Sequence, residues 1–120
     1  MKITNATDLK NFKQQFTGRY KGLKLEFYKK AHEPYQGNHV QNTLDDNTLM
    51  SELVKVDLPF DMNLSDDMSV NDFEQMMEKT LGLHVQVFRR SNAIWLQTTK
   101  TDDWSLAKQN TKGLHSIQTN

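Results

Sequence analysis

Gly22-Leu23-Lys24-Leu25-Glu26-Phe27-Tyr28-Lys29-Lys30 and Gly82-Leu83-His84-Val85-Gln86-Val87-Phe88-Arg89-Arg90 carry nearly the same succession of residue classes, and that match decides how the chain is read. After each glycine the apolar residues alternate. Leu23, Leu25 and Phe27 face one way and Lys24, Glu26 and Tyr28 the other; Leu83, Val85 and Val87 repeat this against His84, Gln86 and Phe88. A period of two predicts two strands, each with one buried face.

Working outward, Leu9, Phe12 and Phe16 recur at helical spacing over Thr7 to Thr17, with Thr7 or Asp8 available as the cap. Their counterparts are Val70, Phe73 and Met77, joined by Leu81, behind the N-cap candidate Ser69; Asp72 suits the positive helix end and Gly82 the left-handed exit. Farther on, Asp45-Asp46-Asn47-Thr48-Leu49 echoes Asp102-Asp103-Trp104-Ser105-Leu106. Two helix-strand units that cannot bury their apolar faces alone bury them against each other.

Between the units, Ala31 to Thr43 reads as a loop, Asn47 to Leu53 as a short helix and Val54 to Leu58 as a strand that Pro59 ends. The second long strand is predicted to turn at Ser91-Asn92-Ala93, where Asn tolerates positive φ, and to return as Ile94 to Thr99. Asp102 or Asp103 is placed to cap a last short helix from Leu106 to Asn110. The resulting expectation is an α+β fold: a single domain over residues 1–110, made of two pseudo-repeated units (about 1–60 and 61–110). One mixed or antiparallel sheet carries two main helices on one face, and residues 111–120 form a frayed C-terminal tail.

Composition narrows the function. The 120 residues hold fifteen basic and fifteen acidic side chains, so the long-range field of a general nucleic-acid or anionic-membrane binder is missing. Mean hydropathy is −0.77 and 36% of residues are hydrophobic, which leaves a lean core. No cysteine is present, excluding disulfides, thiolate zinc sites and cysteine nucleophiles. Met1 to Asn5 has no signal-peptide character and no apolar run is long enough to span a bilayer, so the expected location is cytoplasmic, with no membrane partner.

The stretch Gly82 to Arg90, with Trp95-Leu96-Gln97-Thr98-Thr99, Thr101-Asp102-Asp103-Trp104-Ser105-Leu106 and Gln109-Asn110, resembles a group of small uncharacterised bacterial α+β proteins. The likeness is strongest over residues 82–110. Those proteins have glycine in the hairpin turn where this chain has Asn92. The resemblance implies kinship of fold and carries no activity.

Candidate sites were weighed against ordinary structural roles. Alternation that sends Ile94 and Leu96 to the core sends Trp95 and Gln97 outward, beside Phe88 and Tyr28; such a patch suits self-association or a protein partner. The strand ends Lys29-Lys30 and Arg89-Arg90 form a second candidate, a basic-aromatic surface for nucleic acid, whose ordinary explanation is solvated strand ends. His32, Glu33 and His39 fit no metal spacing, and Asp61, Asp66 and Asp67 lack the glycine and glutamate of a calcium loop. No phosphate loop, Gly-x-Ser-x-Gly or His-Glu-x-x-His motif occurs, so no catalytic, cofactor or metal residues are assigned and an enzyme is the least favoured class. The leading expectation is a small interaction or adaptor module that binds through a sheet face or edge. The alternative is a nucleic-acid-binding accessory protein.

Overall fold

Two side-chain caps start the long helices. Asp8 Oδ1 accepts from the Asn11 N–H at 2.7 Å and opens α1 (Leu9–Arg19); Ser69 Oγ accepts from the Asp72 N–H at 3.0 Å and opens α2 (Val70–Met76). Each cap is also clamped by an antiparallel bridge, Asp8 to Leu49 and Ser69 to Ser105. These bridges give Leu49 and Ser105 matching roles, one residue away from the sequence echo, which set Leu49 beside Leu106. The computed structural model that shows this describes residues 1–29 and 43–117.

α2 continues as a π-helical turn, Met77–Leu81, and leaves through Gly82 at φ 74°. Gly82 is therefore the left-handed exit the sequence predicts. Gly22 serves differently. A Cβ there would lie 2.7 Å from the Asn110 carbonyl oxygen and 2.9 Å from the Leu114 nitrogen, so the glycine admits another backbone.

The two matched segments form β2 (Leu23–Tyr28) and β4 (His84–Ser91), neighbours in one antiparallel sheet. Their register places Leu25 opposite Val87, Phe27 opposite Val85 and Glu26 opposite Gln86. β5 (Ile94–Gln97) returns along β4 after a turn at Asn92, whose φ of 57° agrees with the predicted hairpin. Apolar residues of β2 and β4 meet Phe12, Phe16, Phe73 and Met77 in one buried cluster. Phe12 and Phe73 are both fully buried.

Several expectations need correction. There are two antiparallel sheets among the described residues, because β1 (Lys2–Ile3) pairs with β3 (Phe60–Asp61) apart from the three strands of the main sheet. Val54 to Leu58 is not a strand: Val54 N–H bonds back to Met50 and Lys55 N–H reaches the Leu81 carbonyl, which bends the chain. The short helix expected at Asn47 to Leu53 shrinks to a single turn, Met50–Glu52.

The C-terminal segment is the largest correction. α3 (Leu106–Ile117) continues through residues predicted to fray. Ser105, not Asp102 or Asp103, supplies the cap, its Oγ accepting from the Lys108 N–H at 3.0 Å. The helix persists because Gly113 packs on Gly22: a Cβ on Gly113 would fall 2.5 Å from the Gly22 carbonyl oxygen. Asn110 Oδ1 accepts the Gly22 N–H at 2.7 Å and locks the crossing. α3 thus joins the other two helices, with Leu106 in the shared core.

Candidate functional site

The register sorts every candidate residue onto a face. Lys24, Glu26, Tyr28, His84, Gln86, Phe88, Arg90, Trp95 and Gln97 share the face opposite the helices. Tyr28, Phe88, Trp95 and Gln97 are therefore on one side, as alternation requires. They are not one cluster. Phe88 pairs with Lys24, four residues from Tyr28, a separation of about 13 Å along the strand. Tyr28 is also 3% exposed; burial, then the Glu26 carboxylate, pushes its hydroxyl up to about 12.

Phe88, Trp95 and Gln97 do meet, together with a residue that sequence reasoning missed. Lys24 Nζ lies 5.3 Å from both the Phe88 and the Trp95 ring centres, and the Arg90 guanidinium carbon lies 5.3 Å from the Trp95 ring on its other neighbour strand. Two cations and two aromatic rings thereby form a ladder across β2, β4 and β5. Lys24 was hidden because its strand neighbours gave no hint of which cross-strand rings it would reach.

Lys29, Arg89 and Arg90 do not assemble. Antiparallel pairing sets the end of β2 beside the start of β4, and Arg89 opposite Leu23, so Lys29 lies about 20 Å from Arg89 along the sheet. Lys30 lies outside the described residues. Arg89 and Arg90 point to opposite faces: Arg89 donates to Gln109 Oε1 at 2.9 Å and sits 5.5 Å from the Trp104 ring. Trp104 carries Lys108 at 4.1 Å as well, at one end of a shallow groove of about 520 Å³ along α3 that Lys112 and His115 continue.

The two edges of the main sheet differ. Along β2, Leu44 N–H donates to the Phe27 carbonyl at 2.8 Å and Thr43 bridges Tyr28. Lys13 closes the same edge, 2.5 Å from Glu26 and 2.7 Å from Asp46. Burial pulls the Lys13 ammonium down, but hydrogen bonds to Asp46 and Glu26 outweigh it and leave its pKa raised.

Along β5 no described strand pairs on the outer side. A two-residue hairpin turn directs the Ile94 and Leu96 peptide groups to β4 and those of Trp95 outward. Ile94 and Leu96 do point to the helix side, as predicted, but α3 packs on β4 and β2. Ile94 stays 59% exposed and Leu96 39%. Facing the helix side does not bury them, because coverage there depends on the reach of α3, which alternation does not encode. Ile117, at the end of α3, adds a third exposed aliphatic; its neighbour Ser116 Oγ accepts the Asn92 N–H at 3.0 Å.

Among the described residues no group of three His, Asp or Glu is placed to hold a metal ion, and no helix is long and apolar enough to cross a membrane. No family model, curated protein or solved structure matches the chain.

Proposed function

We propose that this protein is a small interaction module whose β5 edge receives an extended segment of a protein partner as an added strand. The observation that carries the reading is an edge along which no described strand pairs. Natural sheets blunt exposed edge strands with lysine, proline, bulges or covering segments, and Ile94-Trp95-Leu96-Gln97 contains neither lysine nor proline. It presents two exposed aliphatic side chains instead. An added strand gains main-chain hydrogen bonds from the outward peptide groups and side-chain selectivity from alternate positions, the physics of strand addition. The opposite edge, sealed by Leu44 and Lys13, supports the contrast.

The test is selection from a displayed library of random short peptides on the immobilised full chain. Peptides with alternating aliphatic residues should be enriched, and they should lose binding to Ile94→Lys, a change that puts a charge on the edge. Because Ile94 is largely exposed, that variant should keep its stability to within about 0.5 kcal/mol. Failure to enrich any peptide, or enriched peptides that bind the folded variant equally well, would overturn the proposal.

A further inference from the structure

We infer that the segment received by β5 is acidic, with aliphatic side chains on its helix side and carboxylates on the other. This rests on the edge-pairing reading and names its partner class. A strand added to β5 lies about 4.8 Å farther out, and its side chains alternate between two different environments. On the helix side they meet Ile94 and Leu96, both exposed. On the other side they meet Trp95, whose ring centre lies 5.3 Å from the Arg90 guanidinium carbon.

Arg90 has extended from β4 across its neighbour toward the open edge. Its Nε is occupied by the Asn92 carbonyl at 2.6 Å, and among the described residues it has no carboxylate partner. Lys24 on the same face has none either. Glu26 is the one carboxylate on that face of the three strands, and Lys13 holds it. Among the described residues the ladder is thus positively charged without a local carboxylate, although the whole chain is neutral.

Charge along the sequence is segregated in the same sense. Residues 82–117 carry five lysines and arginines against two aspartates, whereas from Val56 to Glu78 there are seven carboxylate residues and no lysine or arginine. With Nε taken by the Asn92 carbonyl, the N–H groups on the terminal guanidinium nitrogens are the ones a carboxylate would accept. A phosphate chain would meet the same cations but would leave Ile94, Leu96 and the outward peptide groups without complements. The observations therefore favour an acidic peptide over a nucleic acid.

Three synthetic peptides of eight residues test this, with valine and isoleucine at alternate positions and glutamate, glutamine or lysine between them. Binding to the full chain is read by Trp95-region shifts in a heteronuclear NMR titration. The glutamate peptide should bind about five- to tenfold tighter than the glutamine peptide, the gain of a charged over a neutral hydrogen bond, and the lysine peptide weakest. Arg90→Gln should erase the glutamate preference while retaining the glutamine peptide. Salt near 1 M, where the Debye length is about 3 Å, should shrink the preference. Equal binding of the glutamate and glutamine peptides, or tightest binding of the lysine peptide, would overturn the acidic partner and leave strand addition standing. If none of the three binds, strand addition itself fails, and the acidic partner with it.

Discussion

The two edges of the three-stranded sheet end in different states. β2 is roofed by a returning segment and pinned by Lys13 between two carboxylates; β5 is short and apolar, with no described strand along its outer side. The contrast teaches that edge protection in this chain combines strand sequence with distant segments. Leu23 to Tyr28 carries Lys24 and Glu26 where Ile94 to Gln97 has no charged residue, and residues 43–46 then fold back along β2.

The comparison breaks most visibly under truncation. Phe27, 2% exposed and edge-to-face with Phe12 at 5.8 Å, should cost about 3–5 kcal/mol when changed to alanine. Leu96→Ala, on the open edge, should cost less than about 1 kcal/mol. Denaturant melts of both variants measure the gap. Similar losses would mean that β5 is covered after all.

A smaller effect is expected where α3 meets β2. Gly113→Ala forces a methyl group against the Gly22 carbonyl and should cost about 1–3 kcal/mol, even though alanine is the better helix former. Unchanged stability in a thermal melt would show that the crossing yields easily and that the β2 side owes little to α3.

The smallest change should come with alkali. Tyr28, bridged to the covering segment, has a folded pKa raised from 10.0 to about 12. A raised folded value means its stabilising contribution is complete below pH 10 and is lost as pH rises through 12. Tyr28→Phe should therefore remain folded to higher pH than the parent, a difference followed by ultraviolet absorbance and circular dichroism. Identical alkaline transitions would assign the loss to another group.

The periodic elements were legible because local pattern suffices for them: the stripe Leu9, Phe12, Phe16, the cap Ser69, the left-handed Gly82 and the alternation of β2 and β4 all stand as read. What escaped depends on long-range placement. Gly113 sits where local propensity predicts fraying, and its fit against Gly22, with the bonds of Gln109 to Arg89 and Ser116 to Asn92, holds the helix in place. Lys29 and Arg89 hold matching positions in their strands, but antiparallel pairing sends them to opposite ends. For Ile94 and Leu96 alternation gives the side and not the coverage, since it says which way a side chain points and not how far a helix extends. Lys24 joined the site through cross-strand contacts that no linear spacing reveals.

The crossing of Gly22 and Gly113 also has a consequence in time. Gly22 and Asn110, which share a hydrogen bond, are separated by 88 residues. At roughly 5–20 residues per second of synthesis, Gly22 and β2 emerge on the order of ten seconds before the helix residue that caps the Gly22 amide. For most of that interval β2 lacks its partner β4, and throughout it lacks Asn110, while closing so long a loop is entropically slow. A nascent chain halted before Asn110 should expose an unpaired Gly22 amide and an uncovered strand end, a substrate for chaperones and proteases that the finished protein no longer offers.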